Sequence, residues 1–293
     1  MTAAIPDNTL PAELIFDILE RAGSSSPSSL PSMLPLSKVY LKYLLPKLYH
    51  TVYLENPRSL ELFNETLQNS HRKAAYRRAI HKIYFSPAPI WRKRTTPPIM
   101  FPSLPFLEEL SVPTIWTIWL PRPRNPLRRL VVYTGIINNN CPVLPQGNFE
   151  SLTHLVLPTR TQFPWGESSP TQLPSLTHLA IPLHGILKPF IIDNQIRFLA
   201  FISTMYPSLR IIVLMPFYYD EYTYTSVSVS AIDRDEILTR LRVDIMDTRY
   251  VVMPYLLEGL TETWKDGEKQ IWETAERLQS DSCESGYSYL YGE

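Results

Sequence analysis

The sequence predicts an α/β fold: a helical N-terminal module, a curved solenoid of about seven or eight parallel strands joined by returning segments, and a helical cap at the C-terminal end. Three observations predict it. The octets S-L-T-H-L-V-L-P at 151–158 and S-L-T-H-L-A-I-P at 175–182 are near-copies, and the apolar residues before each proline alternate with period two, as in a strand that buries one face. The signature recurs from Leu107, Leu127, Leu209 and Leu238, and more loosely from Ile80, so successive units start 20 to 33 residues apart. One strand cannot bury its face alone, and repetition at this period lets neighbours bury it for one another. Finally, Pro113, Pro158 and Pro182 directly follow the last apolar residue, and Pro216 follows one position later. Proline has no N–H to continue a strand and holds its predecessor extended, so it stops each strand at a fixed point.

The first element is a short helix from Leu10 to Gly23. Pro11 suits the first helical position, Glu13 can reach back to the free N–H groups of the first turn, and Gly23 supplies a stop. Leu14, Ile15, Ile18, Leu19 and Ala22 make one apolar stripe, with Glu13, Asp17, Glu20 and Arg21 off it. A Ser/Pro-rich link leads to a second apolar run over 37–48. The order L-P-x-E-L-x-x-x-I-L from Leu10 resembles an F-box, and residues 36–54 resemble its ending in fungal F-box-like proteins, where the module runs straight into a first repeat strand. The resemblance covers Leu10 to about Leu54 and assigns residues 1–54 to that module. It implies that Leu10, Pro11, Leu14, Ile15, Ile18 and Leu19 contact the adaptor subunit of a cullin-type ubiquitin ligase. The other reading is a helix that merely caps the solenoid. The two differ in exposure: a cap turns its stripe inward, whereas a docking helix leaves part of it for the partner.

Residues 55–253 form the solenoid. Asn56 and Pro57 open an amphipathic helical segment with Leu60, Phe63, Leu67 and Ala74 on one face. The L-x-x-L-x-L units that follow resemble leucine-rich repeats, which bind other molecules on the outward side of their strands. The Asn or Cys of that family's turn is replaced here by Ile115, Gly135, Arg160, His184 and Phe217, so the repeats are expected to be irregular. Outward positions alternate with the inward leucines, which gives Lys82 and Tyr84, Glu109 and Ser111, Arg129 and Val131, His154 and Val156, His178 and Ala180, Ile211 and Val213, then Arg240 and Arg242. Of these, Lys82, Tyr84, Glu109, Arg129, His154, His178, Arg240 and Arg242 form the expected target-binding strip. Its cations and single acid predict a partner segment of net negative charge. His154 and His178 hold equivalent positions, about 5 Å apart if their strands are adjacent. With no third ligand they make no zinc site.

Beyond the strands, Phe217 to Ser230 is rich in tyrosine and β-formers, a pattern suited to a hairpin or to an insertion loop. Arg249 to Met253 reads as a last strand. In the capping helices, 254–279, Trp264, Ile271, Trp272, Ala275 and Leu278 can face the solenoid, closing its C-terminal edge. The polar tail, 280–293, is expected to be disordered.

Charge and composition narrow the function classes. Net charge is zero, but residues 71–129 hold twelve Lys/Arg against two acids, and residues 217–293 seven against sixteen. The basic stretch admits a nucleic-acid reading; without a recognised nucleic-acid fold, a solvated basic face is preferred. Two cysteines point to a reducing compartment, and the absence of a leader or long apolar run to a cytoplasmic or nuclear protein without a membrane partner. No phosphate-binding, zinc-protease or nucleophile-elbow motif occurs, so neither a catalytic residue nor a cofactor is assigned. The resemblance implies a non-catalytic substrate receptor that holds a target protein for a cullin-type ligase; the alternative is an interaction scaffold with no ligase attached.

Overall fold

A computed structural model describes residues 18, 21, 45–69, 73–86, 104–113, 127–133, 149–157, 173–184, 197, 199–220, 225–228, 249–253 and 271–280. Among them, nine strands form one sheet: β1 (Thr51–Leu54), β2 (Lys82–Phe85), β3 (Glu109–Pro113), β4 (Arg129–Tyr133), β5 (His154–Val156), β6 (His178–His184), β7 (Ile211–Asp220), β8 (Thr225–Ser228) and β9 (Tyr250–Val252). The sheet runs β1 through β8 in chain order, and all pairs are parallel except β7 with β8. With the helices described below, this makes the fold α/β.

The backbone of each unit is built the same way. The amides of Leu107, Leu152, Leu176 and Leu209 donate to the carbonyls of Leu104, Phe149, Leu173 and Tyr206, three residues back. In three of these four turns the second residue is a proline, Pro105, Pro174 or Pro207, whose fixed φ suits that place. After the turn, two consecutive amides share one carbonyl of the preceding unit. Thr153 and His154 donate to Arg128 O, and Thr177 and His178 to Thr153 O. Stacking is therefore fixed by the chain itself before any side chain packs.

Inward rows carry the core. Ile83, Leu110, Leu130, Leu155, Leu179 and Ile212 are partners in successive ladders and are buried. Leu155 and Leu179 thus lie side by side on neighbouring parallel strands, both shut from water. Rows on either side of this one, including Leu107, Leu152 and Leu176 before the strands and Phe85, Val112 and Ile181 further along, are buried as well.

Between β1 and β2 the helical segment breaks in two, α1 (Pro57–Asn69) and α2 (Lys73–Ala79). Asn56 caps α1: its Oδ1 accepts from the Ser59 amide at 2.9 Å, and Ser59 Oγ accepts from the Asn56 amide at 3.2 Å. Leu60, Phe63 and Leu67 turn into the core as expected, but Ala74 is exposed, because α2 no longer continues the face of α1. Arg77 of the basic stretch donates to Leu67 O at 3.3 Å, near the end of α1, a structural use for a cation at a helix C-terminus.

At the other end, β7 and β8 form a hairpin with Asp220 opposite Thr225, so the tyrosine-rich stretch is an antiparallel ribbon. β9 pairs directly with β7, Ile212 opposite Tyr250. The unit expected from Leu238, with Arg240 and Arg242, therefore does not intervene between them as a further rung; those residues lie outside the described ones. A helix over 199–205 packs behind β7, held by Tyr250 Oη donating to Leu199 O at 2.8 Å and by the Arg249 guanidinium on the carbonyls of Ser203 and Leu209, both at 3.2 Å.

Candidate functional site: the outward face of the sheet

Parallel pairing places the predicted strip in one row. Thr51, Lys82, Glu109, Arg129, His154, His178 and Ile211 are successive ladder partners. A second outward row follows two residues on: Tyr53, Tyr84, Ser111, Val131, Val156, Ala180 and Val213. The sequence reading treats both as solvent-facing, and here the structure corrects it. Tyr84, Glu109, Ser111, Val131, Val156, Ala180, Ile211 and Val213 are all buried, while Tyr53 is 37% exposed.

At the N-terminal end of the strip, Glu109 is a hub. Its carboxylate accepts from Lys82 Nζ at 2.8 Å and from Tyr84 Oη, and Arg129 Nη1 stands 3.7 Å away. Burial pushes the Glu109 pKa up, but the bonds from Lys82 and Tyr84 and the charges of Lys82 and Arg129 outweigh burial and hold it below the ordinary range. Much of the positive charge assigned to a target is thus already answered within the chain. Beside the hub, Tyr53 stacks on Tyr84 with centroids 5.5 Å apart, and His50 stacks on His81 at 4.9 Å.

Across β5 and β6 the face is covered. The helix over 271–280 does not merely close an edge; it lies on the strip. Trp272 meets the rings of both His154 and His178 edge-on, with centroids 5.2 and 5.5 Å away, and Gln279 Nε2 donates to Arg210 O, just before β7, at 3.1 Å. Ile271, Trp272 and Ala275 are buried and Leu278 packs against the core, as the helical stripe predicts. What the strip reading missed is that these residues meet its outward side. The signal was in the strands, since Leu155-Val156-Leu157, Leu179-Ala180-Ile181 and Ile211 to Met215 are unbroken apolar runs, the mark of a strand buried on both faces.

His154 and His178 stack with centroids 4.1 Å apart and planes within 8°. Thr153 Oγ1 donates to Arg128 O at 3.1 Å and lies 2.8 Å from His154 Nδ1; Thr177 repeats this with Thr153 O and His178 Nδ1. Each hydroxyl has given its proton away, so it accepts from Nδ1–H and leaves Nε2 as the bare nitrogen. Lone pairs on parallel rings do not converge on one ion, and among the described residues no group of three His, Cys, Asp or Glu is placed to hold a metal. Burial, then His178 and Arg129, push the His154 pKa down to about 3. Burial also lowers His178, against the pull of Glu276, whose Oε1 is 3.6 Å from His178 Nε2.

Of the predicted adaptor contacts, Ile18 is helical and 50% exposed, while Leu10, Pro11, Leu14, Ile15 and Leu19 lie outside the described residues. Among the described residues no helix is long and apolar enough to cross a membrane. No protein-family model matches the chain, and no curated protein or solved structure is significantly similar to it.

Proposed function

We propose that this chain is a substrate-recognition subunit of a cullin-type ubiquitin ligase: an F-box-like module docks on the adaptor, and a leucine-rich-repeat-like solenoid presents a target protein. In that role it performs no bond chemistry and raises the effective concentration of the target near the conjugating enzyme. The observation that carries the reading is the exposure of Ile18, on the stripe that a simple cap would turn inward. The ladder of parallel strands in chain order supports the solenoid half. For the target, the strip offers its N-terminal end, where the Lys82 and Arg129 side chains are partly exposed; His154 and His178 are withdrawn from that role by Trp272.

Capture of adaptor and cullin by the wild-type chain and by Ile18→Asp tests the proposal. Adaptor captured by wild type and lost in the folded variant is expected. No capture by wild type would leave an interaction scaffold without a ligase, and capture unaffected by Ile18→Asp would reject this docking face.

A further inference from the structure

The contact that covers the C-terminal half of the strip rests on two imidazoles that repel each other once both are charged. We propose that helix 271–280 is a lid latched onto the outward face of β5 and β6 by the uncharged His154–His178 stack, and that protonating both rings releases it. This does not depend on the ligase reading, because it follows from the packing alone.

Both protons work against the closed state, but unequally. The first goes to His178, whose bare Nε2 faces the Glu276 carboxylate at 3.6 Å; the charge-assisted contact that results offsets part of the cost of charging a buried ring. Arg210 and Arg129 act against that proton, but His154 is placed worse. His154 has Arg129 on one side, the stacked His178 on the other and, among the described residues, Glu109 as its one acid, which Lys82 and Tyr84 already engage. A second proton therefore puts two cations in rings 4.1 Å apart, beneath an indole that keeps water from screening them. Burial first, then His178 and Arg129, hold His154 down to about 3 in the closed state. By linkage, a site that resists a proton when closed is driven open by it. Release relieves the repulsion and uncovers the His154 and His178 rings on which Trp272 rests.

Hydrogen exchange on the full chain tests this. On going from about pH 7 to about pH 4.5, the protection factors of amides in 271–280 are expected to fall at least about tenfold more than those of β5 and β6. His154→Phe keeps a flat ring and removes the second charge, so its helix should stay protected. Equal loss in helix and strands, no loss at all, or the same selective loss in His154→Phe would each overturn the latch. Should that variant not fold, the wild type alone decides by NMR: the Trp272 indole N–H and the His154 ring proton must move with one midpoint, and an indole signal that ignores the His154 step overturns the proposal.

Discussion

Strands β1 to β3 and strands β5 to β7 share parallel pairing and one continuous inward apolar row, yet they present different outward faces. In the first group the outward residues are Thr51, Tyr53, Lys82, Tyr84, Glu109 and Ser111, a polar set joined by the Glu109 hub. In the second they include Val156, Ala180, Ile211 and Val213, an apolar set closed over at β5 and β6 by helix 271–280. Inward residues decide that the units stack; outward residues decide what each part of the stack is for. An apolar outward row commits a strand to a second layer, whereas a polar one leaves it available to a partner.

The largest test of this difference is a charge placed on the outward side of each half. Ala180→Asp puts a carboxylate at a fully buried outward position and should cost about 4 kcal/mol or more. Thr51→Asp, half-buried at the open end, should change stability by about 0.5 kcal/mol or less. Urea unfolding of the two variants checks it, and comparable losses would abolish the distinction between the halves. Next in size is Trp272→Ala, which empties the wedge over both histidines and should cost about 3 kcal/mol. Hydrogen exchange should place that loss at β5 and β6 and leave β1 and β2 unchanged.

How much of this was legible beforehand follows the same division. The inward rows could be read directly, because L-x-x-L-x-L names them and parallel ladders keep them in register. The α1 cap, the burial of Ile271, Trp272 and Ala275, and the hairpin after Phe217 could also be read, each from local rules. Less legible was what lies on the outward side. Trp272 sits more than ninety residues from His178, and no periodicity within a repeat encodes a segment that returns from so far along the chain. The hub was half legible: Lys82, Glu109 and Arg129 were all named for the strip, but as ligands for a target, not for one another. The unit from Leu238 was expected as the rung beside β7, and β9 takes that place; residues 238–243 lie outside the described ones.

Acid should separate the Glu109 hub from the His154–His178 stack by pH. His154 is held far below its ordinary 6.5, so between 6.5 and about 3 the unfolded chain binds a proton that the native chain refuses, and stability falls as pH drops through that window. Glu109 is held below its ordinary 4.5, so its contribution is complete above 4.5 and is lost only as pH falls further, through its native value. From 6.5 down to about 4.5, the buried histidines should respond, His154 and His178 in one half and His50 in the other, while Glu109 does not. A stability profile of His154→Phe should be flatter than wild type in that interval, and one of Glu109→Gln should run parallel to wild type there and differ from it below. The reverse assignment would mean that the strip titrates as one unit.

The smallest expected effect is the most informative about function. Arg129 stands between the two halves, 3.7 Å from the Glu109 carboxylate and with its side chain 36% exposed. An ion pair in that setting contributes about 1 kcal/mol or less, so Arg129→Ala should scarcely alter urea unfolding. If the open end receives an acidic target segment, the same substitution should weaken binding and flatten its dependence on salt, since one fewer charge is screened. Lys82→Ala makes the useful contrast. Its ammonium is committed to Glu109 at 2.8 Å, so removing it should cost more stability than Arg129→Ala and change the salt slope less. A target whose salt slope responded to Lys82 and not to Arg129 would move the binding surface toward Tyr53 and the β1 edge, away from the boundary with the covered half.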